Sequence, residues 1–235
     1  MEEKEILNAL KELREKSPSK KFVQSVDLHI NLKYLDLKKP EHKIDLFMQL
    51  PKGRGRKLKL GAFVDQQLLA QAKKLFDTVI IKDDFSKWNN KSKEQRKLAS
   101  SHDFFVAQIE IMTPFAATFG KVLGARGKMP NPKAGCVVPG SANLEPLVSK
   151  LKNIIHLQAK NELSIKTCIG NDKMSDNDLS NNILAVYNTI LSKLPQEKNN
   201  IKFVAIKFTM GPLYKFGSGL KLKSVNKENE RKQKA

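Results

Sequence analysis

Near its start, the chain shows a strict alternation of apolar and polar residues that follows an amphipathic segment. Apolar residues recur at helical spacing between Glu2 and Lys16, and Ser17-Pro18 ends that run, so a first helix is predicted. From Val26 to Lys33 every second residue is apolar and the others are polar, which predicts a strand with one buried face. A second alternating run between Ile44 and Leu50 predicts a strand that pairs antiparallel with the first.

After a stretch rich in glycine and basic residues at 51–57, strands and helices are predicted to alternate. Asp65 is placed to cap one helix, and Asn143 to cap a later one that has Pro146 in its first turn. The predicted elements are a strand at 58–64, a helix at 66–76, a strand at 78–82, a helix at 91–100, a strand at 104–111, a short helix at 113–119 and a helix at 143–153. This alternation is typical of a mostly parallel sheet in a small Rossmann-like α/β domain.

The last third of the chain returns to the antiparallel pattern of its beginning. It contains an alternating strand at 163–169 and an apolar strand at 201–208. Between them, Ser175 and Asp178 form a capping-box-like start to a helix that is predicted to run to Leu194.

We therefore predict an α/β fold class, in which an α+β domain carries an inserted Rossmann-like α/β domain. The α+β domain is formed by residues 1–56 and 158–235, and the inserted domain by residues 57–157. The chain crosses between them near Arg56 and near His156, and two crossings of this kind predict a hinged architecture.

The charge of the chain points to a polyanionic partner. There are 43 Lys and Arg residues against 24 Asp and Glu residues, a formal net charge of +19. Nucleic acid is favoured over an anionic membrane surface, because the basic residues are not gathered on an amphipathic helix with aromatic anchors. The lysine-rich segment from Leu213 to Ala235 is expected to be disordered unless RNA orders it.

The sequence contains no signal for export or for a membrane span. It begins with an acidic rather than a basic segment, and no apolar run approaches the roughly 20 residues that a transmembrane helix needs. Cys136 and Cys168 are far apart and lack CxxC spacing, which favours two buried, reduced thiols. A soluble, cytoplasmic protein is expected.

The stretch from Gly120 to Gly135, GKVLGARGKMPNPKAG, combines four glycines, two prolines and four cations with no acidic residue. Glycine permits positive φ and proline fixes φ, so neither a helix nor a regular strand is expected here, but a positively charged surface loop. Its spacing fits neither a Walker A loop nor GxGxxG. Taken alone, it fits a loop that binds a phosphate backbone or a solvated basic turn.

No residues show a catalytic or metal-binding spacing. Ser218 lies in FGSGL rather than GxSxG, and Asp83-Asp84 has the position of solvated turn residues. The histidines, each in a different segment, are His29, His42, His102 and His156. Neither an enzyme nor a cofactor or metal is expected.

The strand predicted at 201–208 stops abruptly at Thr209-Met210-Gly211-Pro212. Gly211 exposes backbone and Pro212 ends the ladder, so Thr209 can present its hydroxyl, and Met210 its apolar face, to a sugar edge or a base. A simple strand-terminating turn is the alternative interpretation of the same residues.

Three segments together resemble the large-subunit ribosomal protein L-one family. LxxRGxMPNPKxG is present as Leu123–Gly135, TMGP as Thr209–Pro212, and a KF pair before a long strand as Lys21-Phe22. GCVVP at 135–139 and NLEPLV at 143–148 are similar to archaeal members. The resemblance spans nearly the whole chain, and it implies a protein of the mobile stalk beside the ribosomal exit site, with a first domain built from both chain ends and a second domain inserted.

The resemblance also implies which residues contact RNA. The first domain is implied to bind large-subunit rRNA through a strand face and a turn, with Lys21, Phe22, Ser25, Asp27, Thr209, Met210, Gly211 and Pro212. In a site that bound RNA only through charge, an acid at position 27 would repel the phosphates. It can, however, accept hydrogen bonds from 2′-hydroxyls. The cations implied to face exit-site tRNA are Lys121, Arg126, Lys128 and Lys133.

A non-enzymatic, ribosome-bound protein is therefore expected, which is a monomer when free, contacts other ribosomal components and needs no cofactor or membrane. Prokaryotic relatives also bind their own mRNA as translational repressors, so such a repressor is the alternative function. A nucleic-acid-modifying enzyme is a distant third.

Overall fold

The structure is a computed structural model that describes residues 2–18, 20–39, 42–89, 91–217 and 219–221. Within these ranges the elements in chain order are α1 (Glu3–Lys16), β1 (Ser25–Leu32), β2 (Ile44–Gln49), β3 (Leu60–Val64), α2 (Gln66–Leu75), β4 (Thr78–Ile81), α3 (Phe85–Trp88), α4 (Ser92–Ser101), β5 (Phe104–Gln108), α5 (Met112–Ala125), β6 (Val137–Val138), α6 (Leu144–Leu151), β7 (Ile154–Ala159), β8 (Ser164–Asn171), α7 (Asp176–Leu191), β9 (Ile201–Phe208), β10 (Leu213–Lys215) and β11 (Gly219–Lys221).

The chain divides into two compact units. The two-segment unit comprises the residues up to Gly55 and those from Ile155 onwards, and the inserted unit comprises Arg56–Ile154. The predicted α/β fold class is confirmed, because strands and helices are mixed and one sheet is parallel. The expected hinge between the units stays a prediction.

In the two-segment unit, β1 lies inside a five-stranded sheet of order β11-β10-β9-β1-β8. It pairs antiparallel with both neighbours, so that Asp27 lies opposite Cys168 of β8 and Lys207 of β9. The apolar residues of β1 are buried, as its alternation predicts, and they share one hydrophobic core with the buried faces of α1 and α7. The other face of β1 is polar and half-buried.

The predicted antiparallel pairing of β1 with β2 is wrong. β8 and β9 occupy both edges of β1, and β2 pairs instead with β7 in a two-stranded sheet. A strand can pair with only two neighbours. The alternation in β2 predicts which of its side chains are buried, but it does not predict which strand pairs with it.

The expectation of disorder after Leu213 is also wrong for the first residues of that segment. β10 pairs with β9, and β11 pairs with β10, so the five-stranded sheet continues as far as Lys221. Backbone pairing with an existing sheet edge orders this short segment, and Tyr214 and Phe216 also pack against the hydrophobic core. Residues 222–235, for which disorder was also expected, and Ser218 lie outside the described residues.

The inserted unit contains a four-stranded sheet of order β4-β3-β5-β6, in which every described pair is parallel. The predicted parallel sheet is confirmed. Its core is a cluster of aromatic rings around Phe63, whose centroid lies 4.5 Å from that of Phe115 and 4.9 Å from that of Phe119. Edge-on and tilted ring pairs of this kind add to the stabilisation from apolar burial.

Two predicted boundaries in this unit are wrong. The strand expected to reach Ile111 ends at Gln108, where a 3₁₀ turn begins. The helix expected at 113–119 runs from Met112 to Ala125 and so includes Gly120 and Gly124. Glycine costs a helix about 1 kcal/mol, whereas fully burying one large apolar side chain contributes roughly 1.5–3 kcal/mol, and α5 buries three of them.

The predicted helix caps are confirmed. The side chain of Asp65 accepts a hydrogen bond from the Gln66 N–H at 2.8 Å, and that of Asn143 accepts one from the Glu145 N–H at 3.1 Å. Ser175 accepts from the Asp178 N–H at 3.1 Å, and its hydroxyl donates to the Asp178 carboxylate at 2.8 Å.

The predicted linker at 51–57 is held by side-chain amide groups of the two-segment unit. Asn182, which is completely buried in α7, accepts from the Lys52 N–H at 3.1 Å and donates to the carbonyls of Gly53 and Ile169, each at 2.9 Å. Asn171 donates to the Gly55 carbonyl at 2.6 Å. The residues that lead to Arg56 therefore follow a defined path.

We expect Asn182→Ala to lower the free energy of unfolding by roughly 2–4 kcal/mol, because it leaves buried backbone groups without partners. Urea denaturation followed by circular dichroism measures the effect. The neighbouring Asn181 is exposed, so Asn181→Ala is the matched control and should change stability by less than about 0.5 kcal/mol. Equal stability of the two variants would contradict this role of Asn182.

Candidate nucleic-acid interface

The turn that follows β9 lies against the start of β1. Thr209 donates its N–H to the Ser25 carbonyl at 3.1 Å, and its hydroxyl oxygen accepts the Ser25 N–H at 3.1 Å. The hydroxyl also donates to the Ser25 carbonyl at 3.3 Å. A threonine hydroxyl has one hydrogen and two lone pairs, so one lone pair is left to accept a hydrogen bond from a ligand.

A buried glutamine connects this turn to the segment before β1. The Gln24 side chain is 5% exposed, accepts the Met210 N–H at 3.1 Å and donates to the Pro18 carbonyl at 3.4 Å. Its backbone N–H donates to the Asp172 carboxylate at 3.0 Å, and its carbonyl accepts the Asp172 N–H at 2.9 Å. Three segments that are distant in sequence therefore meet at Gln24.

Sequence reasoning missed Gln24. The alternation of β1, extended back by two positions, places residue 24 on the buried face, and a polar residue there needs internal partners. The even spacing between residue 24 and the buried Val26 could therefore have identified Gln24 from the sequence.

Arg14 of α1 continues the same network. Its guanidinium donates to the Asp172 carbonyl at 2.7 Å, the Met174 carbonyl at 2.8 Å and the Asp176 carboxylate at 2.8 Å. The planar guanidinium directs several donors at once, so a single side chain holds the whole connection between β8 and α7.

Gly211 is required by close packing. A Cβ atom at this position would lie 2.5 Å from the Ser17 hydroxyl oxygen and 3.2 Å from the Phe208 Cβ. The Gly211 N–H donates to the Phe208 carbonyl at 3.0 Å, which closes the turn. Any larger residue would displace the turn from α1 and β9.

Large apolar side chains surround the turn and point into solvent. Phe22 is 51% exposed, Val23 47% and Met210 57%. Such groups are usually buried or covered by a partner. Together with the exposed Lys21 they can offer both apolar and cationic contacts to a ligand.

The strand-and-turn surface is defined here as the set Lys21, Phe22, Ser25, Asp27, Thr209, Met210, Gly211 and Pro212. The structure brings these predicted residues together, since the backbone of Ser25 is bonded to Thr209, and Val23 alone separates Lys21-Phe22 from Gln24, which is bonded to Met210. Pro212 precedes β10 and is half-buried.

The polar face of β1 has an unusual charge arrangement. Burial raises the pKa of the Asp27 carboxyl, although the nearby His29 and Lys207 act in the opposite direction. Burial lowers the pKa of His29, with Asp27 acting in the opposite direction and Lys207 and Lys166 adding to the decrease. On this partly desolvated surface a carboxylate therefore lies beside lysines, and burial disfavours the charged forms of both Asp27 and His29.

The stretch from Gly120 to Gly135 is partly helical, contrary to the prediction, because α5 continues to Ala125. Gly127 and Gly135 then adopt φ values of +63° and +74°, which glycine tolerates. Between them, Pro132–Ala134 forms a 3₁₀ turn in which the Asn131 side chain accepts the Lys133 N–H at 2.9 Å.

Two of the four cations in this stretch are engaged within the inserted unit. The Lys128 ammonium donates to the carbonyls of Ala99, at 2.7 Å, and His102, and Arg126 donates to the Arg96 carbonyl at 3.1 Å. The carbonyls of Ala99 and His102 lie at the C-terminus of α4, where a cation such as Lys128 is favoured by the helix dipole. Burial lowers the pKa of Lys128.

The other two cations face solvent. Lys121 and Lys133 are exposed, and within the described part of the chain their side chains have no hydrogen-bond or ion-pair partner. A ligand can therefore reach both without breaking an internal contact.

The histidines and cysteines serve in packing and local bonds. His156 is paired with Asp45 at 2.6 Å and stacks on Phe47, and burial raises the pKa of the Cys136 thiol to about 11. Among the described residues, no group of three or more His, Cys, Asp or Glu could hold a metal ion. None of the helices in the described ranges is long and apolar enough to cross a membrane.

Comparison with known proteins gives a consistent result. A family model described as the ribosomal protein L1p/L10e family matches residues 11–212. The chain is 40% identical over 212 residues to large ribosomal subunit protein uL1 of Methanothermococcus thermolithotrophicus, which covers 90% of this chain and 97% of that protein. It is 39% identical to the uL1 of Methanothermobacter thermautotrophicus, over 90% and 98% of the two chains, and 38% identical to that of Pyrococcus abyssi, over 89% and 94%.

We expect Lys128→Ala to destabilise the inserted unit by roughly 1–3 kcal/mol, because carbonyls at the end of α4 lose their donor. Urea denaturation measures the change. Lys133→Ala removes the same charge from an exposed site and should cost less than about 0.5 kcal/mol. If both variants lost the same stability, the carbonyl contacts of Lys128 would contribute nothing specific.

We expect Asp27→Asn to raise the free energy of unfolding at pH 7. The pKa of Asp27 is higher in the folded than in the unfolded state, so the ionised carboxylate disfavours folding at pH 7. The gain from Asp27→Asn should shrink as the pH falls through the raised folded-state pKa and be absent below the ordinary pKa of 3.8. Thermal unfolding across this pH range tests the sign.

Glu162→Gln is the control for Asp27→Asn. It removes the same negative charge, but from a carboxyl whose pKa is lowered rather than raised. The hydrogen bond and ion pair with Lys166 lower the pKa of Glu162, so neutralising it should not raise stability at pH 7. A stabilisation in both variants would point to net charge rather than to the burial of Asp27.

Proposed function

Because the chain belongs to the ribosomal protein L1p/L10e family, we propose that it is a structural component of the large ribosomal subunit that binds rRNA through its strand-and-turn surface. It is a ribosomal protein and not an enzyme. The observation that carries the proposal is that the Gln24 hydrogen bonds hold exposed apolar and polar groups, distant in sequence, on one surface of a strongly basic protein.

The groups on this surface suit RNA more than DNA. Asp27 and the remaining lone pair of the Thr209 hydroxyl can accept hydrogen bonds from 2′-hydroxyls, which DNA lacks. Phe22 and Met210 can pack on sugars or bases, and Lys21 can contact a phosphate. Acceptors of this kind weaken the binding of phosphates but increase the specificity of a site that recognises ribose.

A contact with exit-site tRNA is the second part of the proposal. Lys121 and Lys133 are the cations available for it, because both are exposed, whereas Arg126 and Lys128 are engaged at the end of α4. We infer a weak, transient contact with phosphates, as two isolated lysines provide little specificity. Assistance to tRNA release and a hinged, stalk-like motion of the two units are proposed with it.

The strand-and-turn surface also supports the proposed role as a translational repressor that binds its own mRNA. A surface that contacts ribose and phosphate groups recognises a fold rather than one long sequence. An mRNA segment that presents the same fold as the rRNA would compete for the same residues. Such competition would stop synthesis of the protein when no rRNA is free.

We expect Thr209→Ala to weaken binding to large-subunit rRNA by roughly 1–3 kcal/mol, because the change removes an acceptor and leaves the Ser25 N–H unpaired. Gel-shift titration at fixed salt measures the affinity, and the same titration with the protein's own mRNA compares the two RNAs. Thr209→Ser keeps the hydroxyl and should bind like the wild type.

Lys133→Ala is the second control and should leave the affinity for isolated rRNA nearly unchanged. A large loss there would mean that the basic loop contacts rRNA directly. Wild-type affinity of Thr209→Ala would remove Thr209 from the site, and binding to mRNA alone would favour the repressor as the main function.

A further inference from the structure

An exposed tyrosine lies at the end of β1 that is opposite the Thr209–Pro212 turn. Tyr34 follows β1 after one residue, is 77% exposed and has a backbone φ of +59°. This left-handed conformation is unfavourable for a bulky residue, and the exposed ring buries little surface in return. Neither feature of Tyr34 contributes to the stability of the free protein.

The backbone that presents Tyr34 is firmly held. The Lys33 N–H donates to the Asn200 carbonyl at 2.8 Å, and the Asn200 side chain donates to the Lys33 carbonyl at 3.2 Å. Asn200 is 1% exposed, and its side-chain oxygen also accepts the Gln196 N–H at 2.7 Å. Both backbone polar groups of Lys33 are fixed by one buried residue, so the backbone that carries the Tyr34 ring has a defined position.

One face of the ring is already next to a cation. The Lys33 ammonium lies 5.0 Å from the centroid of the Tyr34 ring, within the range of a cation–π contact. Because most of the ring is exposed, its opposite face is open to solvent. A flat ring with one free face and a positive charge behind it suits a planar ligand that carries negative groups.

Further lysines line a groove that begins at the residue after Tyr34. This open groove of about 830 Å³ begins at Leu35 and is lined by Lys38, Lys43, Lys160 and Leu163. The acids at this groove have partners, since Glu162 is bonded to Lys166 at 2.9 Å and Asp36 accepts the Lys38 N–H at 3.0 Å. Lys160 lies 3.9 Å from the Asp45 carboxylate, so within the described ranges Lys38 and Lys43 are the lysines of the groove for which the structure records no side-chain ion pair.

The groove and the strand-and-turn surface are joined by a rigid element. β1 is hydrogen-bonded to β8 and β9 along its length, and eight residues of strand span about 25 Å. Its polar face leads from Ser25 towards Lys33 and Tyr34. A single RNA could follow that face and reach both ends.

We propose that Tyr34 is a stacking platform for an unpaired base of the same large-subunit rRNA, with the surrounding lysines at the flanking phosphates. Stacking on an aromatic ring combined with cations along the backbone is how proteins hold unpaired nucleotides. This inference rests on the proposed function, because it assigns a second contact to the same RNA. An acidic protein segment would match the charge but would make no use of the flat ring.

The test uses the full chain and an rRNA fragment that the wild type protects, with single unpaired purines replaced by 2-aminopurine. Wild type and Tyr34→Phe should quench one of these probes, and Tyr34→Gly should not. Tyr34→Gly should also bind about tenfold more weakly, the loss expected when one base loses its aromatic partner. The salt dependence of its binding should be unchanged, because no charge is removed.

Thermal unfolding of Tyr34→Gly separates binding from folding. Glycine accepts positive φ without strain, so its Tm should equal or exceed that of the wild type. The inference would be overturned if Tyr34→Gly bound RNA as tightly as the wild type, or if Tyr34→Phe and Tyr34→Gly lost the same affinity. It would also be overturned if Tyr34→Gly had a lower Tm that accounted for its loss of affinity.

Met210→Ala distinguishes this failure from a failure of the proposed function. If Met210→Ala weakens binding while Tyr34→Gly does not, the second contact is wrong and the proposed function survives. If the wild type itself fails to bind the rRNA, both are wrong.

Discussion

The position of the turn after β9 depends on one neutral, buried amide, that of Gln24. It accepts from the Met210 N–H and donates to the Pro18 carbonyl at the same time, which neither an acid nor an apolar residue can do. An unpaired buried amide or carbonyl costs more than a typical hydrogen bond contributes, so removing this side chain would leave both backbone groups in an unfavourable state. Through Asp172 the constraint extends to Arg14, and α1, β8 and α7 thereby fix where Met210 and Thr209 lie.

The sequence predicts features that depend on neighbouring residues better than contacts between residues that are distant in the chain. The alternation in β1 predicted which residues are buried, because side chains alternate within a single strand whatever its partners. It could not predict the partners themselves, and β2 was therefore paired with the wrong strand. Thr209–Pro212 drew attention as the abrupt end of a predicted strand, but only the resemblance grouped this turn with Lys21, Phe22, Ser25 and Asp27, since the contact between Ser25 and Thr209 joins positions 184 residues apart.

The glycine-rich stretch shows the limit of local propensity. Gly120 and Gly124 predict a break in a helix, yet Phe115, Phe119 and Leu123 lie on a face of α5 that the aromatic core buries completely. Burial depends on residues elsewhere in the chain, so it is invisible to a reading of the stretch itself. The same holds for Arg126 and Lys128, which donate to carbonyls of residues 96 and 99 in α4.

Several features of the two-segment unit are unfavourable for the free protein and become reasonable only with a partner. Burial raises the pKa of Asp27, Phe22 and Met210 expose more than half of their surface, and Tyr34 combines exposure with positive φ. The physical effects differ, namely desolvation, apolar exposure and backbone strain, so these features do not share one physical cause within the free protein. They lie at the two ends and along one face of β1, whose hydrogen bonds on both sides fix the distance between them. The proposed RNA ligand would offer a group to each of them: 2′-hydroxyls to Asp27, sugars and bases to Phe22 and Met210, and an unpaired base to Tyr34.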